Sequence, residues 1–217
     1  MTTGQGLLGN NMFAYCLNNP ITFIDNSGCS PLNQAMLLHC AGGNGPSVID
    51  DQDEEPYGSM PLGNSTIGAM GCGIVATYNA LLLMGDYTSF YDVWTYFTSS
   101  PLKLAKGGKG GISVFTVASY FTDHGYEIVI AIGEWAINEL SAEADACILL
   151  YQYSNGKFGT KEYRRGGHFV AYAPYGDGYM GYNVSGGGMA DFISPYAYGQ
   201  EGNRFRPVAI IIYDKAS

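Results

Sequence analysis

From Ile74 to Met84 almost every position is apolar, with no polar face, and a helix buried on all sides is the element such a run predicts. Downstream the pattern becomes one-sided. Phe90, Val93, Trp94 and Phe97 recur at i, i+3, i+4 and i+7 behind Ser89, a residue suited to cap a helix. Val114, Val117, Ala118 and Phe121 repeat that spacing, and Gly125 supplies a C-terminal stop. The chemistry then turns to β-branched and aromatic runs at Tyr126 to Ile132, Ala146 to Tyr153, His168 to Ala173, Tyr179 to Val184 and Val208 to Tyr213. A short helical piece around Trp135 to Leu140 separates the first two runs, and Gly176-Asp177-Gly178 predicts a tight turn between the third and fourth. Helices followed by strands imply an α+β fold with an antiparallel sheet, packed over residues 61–217.

Upstream of residue 61 this patterning stops. Residues 41–60 mix glycine, proline and a cluster of acids with little to bury, and they read as part of a linker over 29–60. The acidic run Asp50 to Glu55 lacks the spaced ligands and glycine of a calcium loop, so no metal is expected there. With 10 basic against 19 acidic residues the 217-residue chain carries a net charge of -9 and offers no basic stripe for nucleic acid. Neither a signal-peptide layout nor an apolar run long enough to span a bilayer is present, so membrane insertion is not expected. Glycine (31 residues) and tyrosine (18) are abundant, a composition more familiar in secreted proteins. No GxGxxG, P-loop or HExxH motif appears, and no cofactor is expected.

Five cysteines, at 16, 29, 40, 72 and 147, leave at least one unpaired within the chain and lack a zinc-ligand rhythm. Cys72 stands between Gly71 and Gly73 at the start of the buried helix, where the dipole and a nearby imidazolium favour a thiolate. Taken alone, a cysteine in such a place is more often a small core residue. His168 changes that balance: it opens an apolar strand after Gly166-Gly167, from where its ring can reach the helix start. Asn183, at the end of the next strand, can accept a hydrogen bond from His168 and fix its orientation. His124 reads as a helix C-cap, Cys147 as core, and the adjacent His39-Cys40 as incidental packing or a partner contact. Arg164-Arg165 either edges the cleft, favouring acidic substrate side chains, or forms a solvated loop.

The order of these residues resembles that of papain-like cysteine peptidases, most closely the branch that processes bacteriocin leaders. Gly71-Cys72-Gly73-Ile74, Met84-Gly85, Gly167-His168-Phe169-Val170 and Tyr182-Asn183 carry the resemblance, across roughly residues 61 to 215. It implies a papain-like fold and a catalytic set of Cys72, His168 and Asn183. Six residues before the cysteine, where the family places its oxyanion-hole glutamine, this chain has Thr66, with Asn64 and Ser65 beside it. The oxyanion donor is therefore expected among Asn64, Ser65 and Thr66, together with the Cys72 amide. Where the family has Asp-Pro after the second strand this chain has Asn183-Val184-Ser185, with Asp177 and Asp191 in reserve for the third role.

Asn11 to Cys16, Asn18-Asn19-Pro20 and Asp25-Asn26-Ser27-Gly28 carry a second resemblance, to the terminal motif of the RHS/YD-repeat-associated core, with Asn26 where proline is usual. In that family a variable domain, often a toxin, follows the motif directly. The implied organisation is the end of an RHS core over 1–28, a linker over 29–60 and a cysteine hydrolase over 61–217. Together the resemblances imply the effector of a bacterial polymorphic toxin, secreted or delivered into a target cell. Its partners would be a protein or peptide substrate, an immunity protein and the RHS shell. A deamidase, acyltransferase or transglutaminase-like enzyme would use the same residues, and an inactive binding module of the same fold is a further alternative.

Overall fold

The computed structural model describes residues 47–155 and 164–214. The RHS-like motif over 1–28, His39-Cys40 and the 29–46 part of the expected linker lie outside the described residues.

A two-stranded hairpin, β1 (Pro61–Leu62) and β2 (Ser65–Thr66), leads into the single turn α1 (Ile67–Met70) and then the central helix α2 (Cys72–Leu83). Every residue of α2 from Gly73 to Leu83 is buried, as its all-round apolar sequence requires. Helix α3 (Phe90–Thr98) starts at Ser89, whose hydroxyl accepts from Asp92 N–H at 3.2 Å. Helix α4 (Val114–Asp123) buries Val117, Ala118 and Phe121, and Gly125 beyond it has φ +84°.

The strands β3 (Glu127–Ile132), β4 (Ala146–Asn155), β5 (Arg164–Tyr175), β6 (Gly178–Tyr182), β7 (Met189–Phe192) and β8 (Arg204–Tyr213) form one sheet. Its order is β3-β8-β4-β5-β6-β7 and all five pairings are antiparallel. The chain is thus mixed α and β, its early helices segregated from an antiparallel sheet. Alternation along the central strands makes two cores. Ala146, Ile148, Phe169, Ala171, Ile210 and Ile212 pack with α2, α3 and α4 on one face. Cys147, Leu149, Tyr172 and Ile211 face α5 (Glu134–Glu143) and α6 (Pro195–Tyr198) on the other.

β7 and the β1–β2 hairpin escape the sequence reading, because four-residue and two-residue strands are too short to show a period. The larger departure is at residues 47–60, which do not behave as a linker. Val48 and Ile49 are buried in the core, and the side chain of Asn79 on α2 holds both main-chain groups of Ile49, accepting at 2.8 Å and donating at 2.8 Å. A buried asparagine satisfies its amide by clamping this strap across the helix.

Candidate active site

Cys72 is the first residue of α2, reached from α1 through Gly71. A Cβ at Gly71 would lie 2.6 Å from the Ile67 carbonyl, so only glycine permits the two helices to join so tightly. The turn leaves the sulfur at the positive end of α2, half-buried and free of any disulfide. His168 and the main chain of Gly73 and Phe169 are the groups beside it that favour its thiolate.

His168 comes from β5, where it pairs with Tyr151 of β4. Ahead of it, Gly166 lies under the Tyr153 ring: an added Cβ would come within 2.5 Å of the ring, so a side chain there would have to displace Tyr153. The Nε2 of His168 lies 2.6 Å from the main-chain oxygen of Asn183. A carbonyl only accepts, so Nε2 must carry a proton, and Nδ1 is the nitrogen left for Cys72.

The electrostatics follow from these partners. Burial opposes a thiolate at Cys72 and is the largest single influence. The His168 hydrogen bond and charge, with the Phe169 and Gly73 amides, outweigh it, and the thiol sits below its ordinary pKa. Burial likewise opposes the imidazolium. The hydrogen bond and charge of Cys72 and the Asn183 carbonyl overcome that cost, despite the opposing charge of Arg204, and His168 is raised. Shifts in opposite directions favour a thiolate–imidazolium pair. Cys147 behaves in the contrary way: enclosed in the core, its thiol is pushed up to about 12.

Asn183 is at the site, but its expected role passes from side chain to main chain. It is 1% exposed and has φ +57°, a left-handed conformation asparagine tolerates better than most residues. Its side chain faces Gln52: the Gln52 main-chain N–H donates to Asn183 Oδ1 at 3.1 Å, and Asn183 Nδ2 donates to Gln52 Oε1 at 3.1 Å. Gln52 Nε2 in turn donates to the Gly68 carbonyl at 2.6 Å and the Ile67 carbonyl at 3.3 Å. Gln52 therefore ties the turn that presents His168's acceptor to the helix preceding Cys72. Sequence reasoning missed it inside an acidic run assigned to a linker. An amide amid five acids between Asp50 and Glu55 was the one available signal.

A cleft of about 610 Å³ holds Cys72, His168, Gln52 and Asn183. Asn64, Ser65 and Thr66 do not line it. Asn64 donates its N–H to the Gly107 carbonyl, and the Thr66 hydroxyl caps α1 by accepting from Ala69 N–H. The hairpin ties Asn64 to the 105–111 loop and Thr66 to the start of α1. Asp177 stands exposed in the β5–β6 turn and Asp191 on β7, both outside the cleft lining. His124 is the C-cap of α4, with Nδ1 2.6 Å from the Tyr120 carbonyl and its ring stacked on Tyr120.

Among the described residues no group of three or more His, Cys, Asp or Glu side chains converges as a metal site, and no helix is long and apolar enough to cross a membrane. No protein-family model matches the chain, and no curated protein matches it with significance.

Proposed function

We propose that this chain is a papain-like cysteine hydrolase that cleaves an amide bond through a Cys72 thiolate. The observation that carries this reading is the pairing of Cys72 with His168, whose remote nitrogen is held by the Asn183 carbonyl. A lone core cysteine has no need of a histidine, two amide donors and an open cleft.

In the proposed reaction the Cys72 sulfur attacks the substrate carbonyl carbon and a C–S bond forms. The oxygen takes the negative charge near the Cys72 main-chain N–H, which precedes the first donor of the α2 ladder. His168 delivers its proton to the leaving nitrogen as the C–N bond breaks. Water then attacks the thioester, His168 accepts its proton, and the acid leaves as the Cys72 thiolate re-forms. The resemblance at residues 11–28 further supports delivery as the effector of an RHS-type bacterial toxin, with an immunity protein as its antagonist.

The experiment is to express the chain in target bacteria beside its Cys72→Ala variant, and to incubate both proteins with a mixed peptide digest. Toxicity, and new peptide termini formed by the parent alone, are expected. Ammonia release without new termini would replace hydrolysis of the backbone by deamidation at the same site. Equal toxicity of the variant would remove Cys72 from the mechanism.

A further inference from the structure

The walls of the cleft carry charge in an arrangement the reaction itself does not use. Lys106 and Lys109 line it from the loop between Ala105 and Gly111, and Arg165 lines it from β5, two positions before Gly167. Lys106 stands on a left-handed turn of the backbone, φ +50°. All three are exposed, and among the described residues none forms an ion pair. Arg165 lies over the Phe205 ring at 5.0 Å, which steadies its guanidinium without neutralising it.

Only 10 of the 217 residues are basic and the chain carries -9 overall, so three cations lining the cleft of one nucleophile run against the charge of the molecule. The acids of the cleft, Asp51 and Asp53, come from the strap instead. Their side chains lie against Gly187 and Gly68, and Asp51 Oδ1 accepts the Asp53 N–H at 2.9 Å. Acidic and basic walls thus come from separate segments, with Cys72 and His168 in the same cleft.

We infer that the cleft selects an extended polypeptide segment bearing Asp or Glu side chains where it passes Lys106, Lys109 and Arg165. This rests on the reading of Cys72 as an acyl-transfer nucleophile. Exposed charges of this kind act mainly through encounter and orientation, so selection weakens as salt shortens the reach of the field to about 8 Å at 0.15 M.

The test uses two probes of equal size on the full chain, anionic iodoacetate and neutral iodoacetamide, with alkylation of Cys72 followed by mass spectrometry. The expected result is an iodoacetate-to-iodoacetamide rate ratio at Cys72 that drops about tenfold in a K106E/K109E/R165E variant and falls with added salt in the parent. The iodoacetamide rate on the same variant normalises for any change in Cys72 itself. An unchanged ratio overturns the inference. So does a peptide-digest cleavage pattern without Asp or Glu enrichment beside the cut. The pH profile of iodoacetamide alkylation reports separately on the nucleophile: an ordinary thiol profile would overturn the acyl-transfer reading, whatever the ratio.

Discussion

His168 is oriented by the main-chain oxygen of Asn183, 2.6 Å from Nε2, while the Asn183 side chain is occupied with Gln52. The orienting group is therefore a backbone atom, whose position depends on how the Asn183 turn is held. Substitutions around the site divide accordingly into those that delete a reacting group and those that loosen its support.

The pH dependence of Cys72 alkylation by iodoacetamide follows from the two shifts. The lowered thiol ionises on the acid side of the ordinary thiol range, and the raised imidazolium persists above the ordinary imidazole value. Alkylation should thus proceed on the acid side of the ordinary thiol range, and hydrolysis should be bell-shaped between the two values. In His168→Ala burial acts on the sulfur without its main counterweight, and labelling should require pH above the ordinary thiol range.

Stability carries the same signature with a definite sign. The lowered Cys72 contributes stability that is fully present above about pH 8.5, the unfolded thiol value, and is lost as pH falls through its folded value. The raised His168 contributes stability that is fully present below about pH 6.5, the unfolded imidazole value, and is lost as pH rises through its folded value. Urea midpoints across pH check the first sign: the acid-side loss tied to the Cys72 thiolate should be present in the parent and absent from Cys72→Ser.

Asn183→Ala leaves the carbonyl that His168 uses but deletes the side-chain pair with Gln52. Cys72 should still alkylate, with its profile moved part of the way toward that of an ordinary thiol because the turn loosens, and peptide hydrolysis should fall by about tenfold, against roughly 10²- to 10⁴-fold for His168→Ala. A loss equal to that of His168→Ala would show that the side chain acts directly on the imidazole.

Gln52→Ala removes donors to Gly68 and Ile67 and leaves Asn183 Nδ2 without its acceptor. A loss of about 1–3 kcal/mol in urea unfolding is expected. Because the Asn183 turn loosens, the alkylation profile of Cys72 should also move toward that of an ordinary thiol, which a purely structural role for Gln52 would not produce.

Asn79→Ala strips two hydrogen bonds from Ile49 in the core, and each buried group left unpaired costs about 1–3 kcal/mol. Urea unfolding should show a loss of at least about 2 kcal/mol. The strap carrying Gln52 should become the first segment to exchange its amide hydrogens, measurable by mass spectrometry.

Local periodicity made much of this molecule legible in the sequence. The apolar run of α2, the Ser89 cap and the strands around His168 and Ile210 follow from side chains at fixed short spacings, and these recur in the structure within a few residues. Cys72 and His168 were visible from their flanking glycines, Cys72 opening α2 as expected, whereas β5 already begins at Arg164 and His168 lies inside it and does not open it. Only the tertiary structure decided how they are supported. The Gln52–Asn183 contact spans 131 positions and the Ile49–Asn79 clamp spans 30, so neither leaves a periodic trace. Nor can a residue's identity reveal that its carbonyl, and not its side chain, will meet an imidazole, since every residue carries the same carbonyl and packing alone aims it.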